Sequence, residues 1–334
     1  MSGESTRRVA AIDCGTNSLR LLIADVDPAA QRLVDVQRRM EIVRLGQGVD
    51  ATGRFDPAAL QRALSLTAEY ASSCREAGVG AIRFVATSAS RDAEDAQDFI
   101  DGVRDLLGVE PEVISGDEEA ALSFLGATRG LQAIPVPDGE RLPVLVVDIG
   151  GGSTEVVLGE LGGGATGQNP AQDTAQDTAR ITASRSVDIG CVRLFERHGG
   201  DLAAIRADLE AGLDDVARVV PLHRARALVG LAGSITTLTA HALRLPRYQP
   251  ERIHGAVLPI ATVAAACDDM AALTGDQRRA LPYLHPGRVD VIVAGALIWR
   301  GVLDRVAAAS GVQQVVTSEH DILDGIAWSV AETG

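Results

Sequence analysis

The stretch Val144-Leu-Val-Val-Asp-Ile-Gly-Gly-Gly-Ser-Thr-Glu-Val-Val-Leu158 decides the fold. Two apolar, β-prone runs, 144–147 and 154–158, flank a glycine-rich polar turn, which is the pattern of two antiparallel strands joined tightly. The same pattern stands 135 residues earlier, where 9–12 and 19–24 flank Asp13-Cys-Gly-Thr-Asn-Ser18. Aligned, Asp13 matches Asp148, Gly15 matches Gly150 and Ser18 matches Ser153. Shared residues in a shared strand-turn-strand context read as an internal duplication, and so as two related domains.

Working outward from the first copy, Asp56 as N-cap and Pro57 at the first position open a helix over 57–76. A strand at 81–86, a helix from about 92 to 107, a strand near 112–114 and a helix over 116–128 follow. The proline-rich stretch 134–139 marks the boundary, giving domain I as residues 1–133 and domain II as 140–317. After the second copy, residues 162–178 carry Ala-Gln-Asp-Thr twice in tandem and read as a disordered hairpin loop without function. Beyond it come a strand near 181–189, helices at about 192–198 and 202–219, a strand at 227–231, and a helix opened by Gly233-Ser234. A final helix, about 318–334, is placed to cross back to domain I. The alternation predicts an α/β class with mixed sheets.

At 334 residues and 46% apolar composition, the chain is long enough for two domains that each bury a core. Its longest run without Asp, Glu or Arg, 227–243, includes Ser234, Thr236, Thr237, Thr239 and His241, too polar for a membrane span. The first residues meet Asp13 after four apolar positions, unlike the apolar core of a secretory signal, so a cytoplasmic, membrane-free protein is expected. Cys14, Cys74, Cys191 and Cys267 form no CxxC pair and read as buried thiols. All 31 basic residues are Arg, which rules out a P-loop lysine or a Schiff base. The net charge of −14 argues against nucleic acid as a partner, because long-range repulsion opposes a polyanion. Any phosphate site must then be local, built from backbone N–H groups, a few Arg side chains and a divalent cation.

Each glycine turn presents N–H groups and hydroxyls at the mouth of a strand, a way to hold phosphate oxygens without Lys. The candidates are Gly15, Thr16, Asn17 and Ser18 in the first turn and Gly150, Gly151, Gly152 and Ser153 in the second. Asp13, Asp148 and Glu155 are hard oxygen ligands beside those turns, suited to Mg²⁺; for Glu155 a solvent-facing strand position fits equally. Ser115 and Glu118 form a capping box, which turns Glu119 about 100° away, free to act as a general base or to remain a surface acid at a helix start. Thr87-Ser-Ala-Ser-Arg91 lies between a strand and a helix, either as an anion site with Arg91 or as a plain cap. Gly233 and Ser234 repeat that pattern more weakly.

Together, Asp13-Cys-Gly-Thr-Asn-Ser18, Ala86-Thr-Ser-Ala-Ser-Arg91, Ser115-Gly-Asp-Glu-Glu-Ala120, Val147-Asp-Ile-Gly-Gly-Gly-Ser-Thr-Glu155 and Ile189-Gly-Cys-Val192 resemble the exopolyphosphatase/guanosine pentaphosphate phosphohydrolase family, in the family's order. Gly230 to Ser234 and Ser318-Glu-His-Asp-Ile-Leu-Asp-Gly325 extend the likeness toward the C-terminus. The resemblance implies two actin-like, ribonuclease-H-like domains with the site in the cleft between them. It implies Glu119 as catalytic base, Asp148 and Glu155 at Mg²⁺ or Mn²⁺, and Gly15 to Ser18, Arg91 and Gly150 to Ser153 around phosphate. Inorganic polyphosphate or guanosine pentaphosphate is the implied substrate, and a homodimer is a family-level expectation. Longer members carry further C-terminal helical domains, so short chains are the expected substrate. A kinase on the same fold and a non-catalytic polyphosphate or guanosine pentaphosphate sensor are the rivals; the Gly-x-Glu-Glu motif and the intact acids favour hydrolysis over both.

Overall fold

The computed structural model describes residues 6–129, 131, 134, 140–162 and 179–333. The expected boundary at 134–139 and the insertion at 162–178 lie, apart from 134 and 162, outside the described residues. The chain divides into two units, Met1–Gly126 with Ile322–Gly334, and Ala127–Asp321.

In the first unit, β1 (Arg7–Cys14), β2 (Ser18–Asp27) and β3 (Arg32–Ile42) form an antiparallel meander. The short α1 (Val49–Thr52) and long α2 (Pro57–Glu76) lead to β4 (Ala81–Ala86), which pairs parallel with β1. Then follow α3 (Ser88–Asp92), α4 (Ala96–Leu107), β5 (Glu112–Val113) and α5 (Gly116–Thr128), giving sheet order β3-β2-β1-β4-β5. Strand β1 is buried on both faces. Ala10, Ile12 and Cys14 meet Tyr70 of α2 and Phe99 of α4, while Val9 and Ala11 meet the opposite layer. That double burial explains the continuous apolar runs beside the first turn.

Asp56 caps α2 as expected, its side chain accepting from the Ala59 N–H at 2.8 Å. The helix expected from about 92 instead starts at Ala96, because Ala93 is extended (φ −90°, ψ 125°). The break is held from outside: the Glu94 N–H donates to Gly53 O at 2.8 Å, and Asp95 Oδ1 accepts from the Phe55 N–H at 3.0 Å. Strand β3 was not read from the sequence: its alternation at Val34-Asp-Val36 and Met40-Glu-Ile42 is interrupted by Arg38-Arg39, and as an edge strand it leaves Val34 and Val36 exposed.

In the second unit, β6 (Arg141–Ile149), β7 (Thr154–Gly162) and β8 (Ala179–Val187) repeat the meander. Helices α6 (Cys191–His198) and α7 (Leu202–Val219) precede β9 (Ala227–Leu231), parallel to β6, and α8 (Ala232–Ala242) follows. The remainder is α9 (Pro250–Ile253), β10 (Val257–Pro259), α10 (Ile260–Ala272), α11 (Gly275–Arg279), α12 (Ile292–Ser310) and β11 (Gln314–Thr317). The sheet order is β10-β11-β9-β6-β7-β8. Strands β3-β2-β1-β4 and β8-β7-β6-β9 therefore share order and direction. Even the register shift recurs, at Ile23/Ala24 in β2 and Leu158/Gly159 in β7, again 135 residues apart. This is the duplicated actin-like α/β fold.

Gly230 serves packing: a Cβ there would stand 2.8 Å from both Ile235 and the ring of the fully buried Trp299. The last helix, α13 (Ile322–Thr333), belongs to the first unit and packs Ile326 and Trp328 against the layer containing Val9 and Ala11. Asp324 ties it to β3 through Arg38 at 2.6 Å. All four cysteines are free and buried. No described helix is long and apolar enough to cross a membrane.

Candidate active site

The two glycine turns are built alike. In each, the first glycine N–H donates to the carbonyl of the closing serine: Gly15 to Ser18 and Gly150 to Ser153, both at 3.0 Å. The other carbonyls are anchored from behind. In the first turn, Thr16 O accepts from Gly46 N–H at 2.9 Å, and Asn17 O accepts from Val43 and Arg44 at 3.1 and 2.9 Å. In the second, the anchor is the start of α6, where Cys191 N–H donates to Gly150 O, Val192 and Arg193 N–H groups to Gly151 O, and Arg193 Nε to Gly152 O. With the carbonyls committed, the N–H groups of Gly151, Gly152 and Ser153 have no acceptor among the described residues. Successive outward N–H groups make an anion-binding concavity. The Ile189-Gly-Cys-Val192 motif thereby acquires a physical role as the backing of this turn.

Asp148 of β6 and Glu155 of β7 are register partners, so their side chains share one face of the sheet. They are 7% and 1% exposed, which excludes the solvent-facing alternative for Glu155. Ser186 Oγ donates to Glu155 Oε1 at 2.8 Å. Like charges at directly opposed strand positions repel, and burial intensifies that repulsion unless donors or a cation compensate. No cluster of three or more His, Cys, Asp or Glu able to hold a metal occurs among the described residues. A pair of carboxylates fits Mg²⁺, which takes one or two from a protein and fills its shell with water and phosphate oxygens.

In the first unit the equivalent row differs. Asp13 faces Arg20, and the guanidinium bonds Asp13 Oδ2 at 2.8 Å through Nε. Asp13 thus meets a guanidinium on Oδ2 where Asp148, at the equivalent position, meets a second carboxylate. Arg20 stands 135 positions before Glu155, and aligning the two copies one strand further would have revealed it.

Glu119 faces inward from the first turn of α5, 9% exposed. Ser115 Oγ accepts from the Glu118 N–H at 3.2 Å, but the Glu118 carboxylate bonds Arg83 at 2.6 Å rather than returning to Ser115. The expected capping box is therefore half formed, because a guanidinium within reach outcompetes a backbone N–H. Arg91 Nη1 donates to Glu119 Oε2 at 2.8 Å and to Ile114 O at 2.9 Å. Burial raises the Glu119 carboxyl above the ordinary glutamate range; Arg91 pulls against this, Asp13 adds to it, and a hydrogen bond from Thr87 lowers it. Arg91 itself sits in the five-residue α3, too short to act as a dipole, so its contribution is the guanidinium.

Gly233 and Ser234 contribute differently from expectation. A Cβ on Gly233 would overlap the Arg288 guanidinium, at 1.6 Å from Nη1, so Gly233 exists to let Arg288 lie over the start of α8. The Ser234 hydroxyl bonds the Cys191 thiol and packs against Gly295, whose Cβ would meet it at 2.5 Å. What this turn can offer a ligand is backbone N–H and Arg288, which no sequence motif singled out.

A model of the Ppx/GppA phosphatase family matches residues 22–329. The chain belongs to this family. Exopolyphosphatase 2 of Mycobacterium tuberculosis is 43% identical over 97% of this chain and 98% of its own length. A guanosine-5'-triphosphate,3'-diphosphate pyrophosphatase of Photobacterium profundum is 30% identical over 61% of this chain and 36% of its own. The crystal structure of an exopolyphosphatase-like protein superposes with TM-score 0.85 and 39% identity, covering 99% of this chain and 98% of that one. As a family member with these features the chain is a phosphoric anhydride hydrolase.

Proposed function

We propose that this family member is a divalent-metal-dependent exopolyphosphatase that releases orthophosphate from the ends of short inorganic polyphosphate chains. The observation that carries the mechanism is Glu119, a buried carboxylate with raised proton affinity, oriented by Arg91 and Thr87. Such a group takes a proton from a water attacking phosphorus, and a base poised nearer neutrality does so more effectively. Nη1 of Arg91 is committed to Glu119 and Ile114, so its remaining N–H groups are available to the transferring phosphate. The N–H groups of Gly151, Gly152 and Ser153 hold phosphate oxygens, with the equivalent turn at Gly15 to Ser18 in the same role. Asp148 and Glu155 would hold Mg²⁺ or Mn²⁺, which when bound neutralises phosphate charge.

Polyphosphate as substrate is supported by the 43% identical exopolyphosphatase and the short-chain preference by the net charge of −14. Hydrolysis of guanosine pentaphosphate is the second reading, supported by the Photobacterium relative.

Orthophosphate release, measured side by side from short polyphosphate, long polyphosphate, guanosine pentaphosphate and ATP with Mg²⁺, tests the reading. Short chains should be cleaved fastest. Glu119→Gln should lower turnover by roughly 10²- to 10⁴-fold while retaining substrate binding. Binding without release from any substrate would replace the enzyme with a sensor, and an active Glu119→Gln would remove the base assignment.

A further inference from the structure

In the second unit, Ser186 of β8, Glu155 of β7 and Asp148 of β6 occupy one row across three neighbouring strands. The matching row of the first unit is Met40, Arg20 and Asp13. There Arg20 pairs with Asp13 through Oδ2, and the third position is an apolar methionine. Where the arginine has become a glutamate, the third position has become a hydroxyl that donates to it at 2.8 Å.

We infer that Ser186 is a positioning residue for the divalent cation, holding the Glu155 carboxylate in the row beside Asp148. This rests on the reading of Asp148 and Glu155 as the cation's ligands. The physical reason lies in the freedom of the glutamate side chain. Its terminal torsion is broad and roughly two-fold, and repulsion from Asp148 favours any rotation that separates the two charges. A donor on Oε1 opposes that rotation before the cation arrives, so less ordering remains to be done on binding. Hydrogen-bonded partners of this type orient metal-ligating carboxylates and tune their affinity. A hydroxyl also suits the position better than a cation would: a second arginine would neutralise Glu155 and compete with the metal, which is the arrangement the first unit shows with Asp13.

Direct Mn²⁺ binding to the full-length, metal-stripped protein tests this, with free Mn²⁺ read by electron paramagnetic resonance and no turnover required. Ser186→Ala should raise the Mn²⁺ dissociation constant about 10- to 100-fold, while the metal-free protein still melts cooperatively, at a modestly lower temperature because a buried carboxylate loses a donor. Ser186→Thr, which keeps the hydroxyl, should restore binding. Ser186→Cys, similar in size but a weak donor, should fall between and serves if the alanine variant does not fold. Glu155→Gln is measured in parallel. If it loses Mn²⁺ while both Ser186→Ala and Ser186→Cys bind as tightly as wild type, Ser186 has only a structural role and the inference falls. If Glu155→Gln binds Mn²⁺ as the wild type does, the ligand assignment beneath it falls instead.

Discussion

At the residue scale, Glu119, the proposed base, shows how environment shifts the proton affinity of a common side chain. Desolvation raises its proton affinity, Arg91 and Thr87 restrain the rise, and nearby Asp13 adds to it. The base acts only when deprotonated, so activity must fall as pH drops through its pKa. Because that pKa is raised, the acid limb of kcat/KM should lie above the ordinary glutamate value of about 4.3. A pH–rate profile for orthophosphate release checks this, and a limb at or below the ordinary value would mean that another group controls it. That Glu119 turns away from the cap was legible from its offset to Ser115. Its partners were not: Thr87 and Arg91 lie about 30 residues upstream, and only the pairing of β1 with β4 sets the Thr87 N–H on Cys14 O at 3.2 Å, beside Asp13.

At the scale of elements, each proposed phosphate turn has its carbonyls occupied from behind. In the second unit the occupant is the start of α6, which can approach only because residue 190 lacks a side chain. A Cβ on Gly190 would stand 2.2 Å from Gly151 O and 2.4 Å from the Gly152 carbonyl carbon. Gly190→Ala should therefore push α6 off the turn, destabilise the protein by about 1–3 kcal/mol as overpacking does, and weaken phosphate binding. Thermal melting together with orthophosphate inhibition measures both effects; unchanged values in each would show that the turn needs no backing from α6. The strands and turns were readable because both copies carry the same period and the same Asp-x-Gly opening, closed by a serine. The break at Ala93 and the edge strand β3 were not, since one is imposed by Gly53 and Phe55 from another element and the other has its alternation interrupted by Arg38-Arg39.

For the whole molecule, a net charge of −14 sets an electrostatic problem, because the proposed substrate is itself a polyanion. The local N–H groups, arginines and cation must bind it against long-range repulsion. Raising salt from about 0.01 M to about 0.1 M shortens the Debye length from roughly 30 Å to roughly 10 Å and screens that repulsion. The KM for polyphosphate, measured at constant free Mg²⁺, should then fall or stay level. A steep rise with salt, as counterion release gives for basic polyanion binders, would show that the substrate meets a positive surface despite the overall sign.

The sequence by itself determined the duplication, the strand-turn-strand cores, the buried thiols and the family's motifs, because each is written in residues close together along the chain or repeated at a constant offset. The tertiary structure alone decided which charges face each other. Asp13 and Asp148 are identical in motif, yet one opposes Arg20 and the other Glu155. The row extends to Met40 in one unit and Ser186 in the other, through strand connections of different length. Strand register, fixed by the packing of apolar neighbours against the layers on the sheet faces, brings these distant residues into line, and no spacing read along the chain contains it.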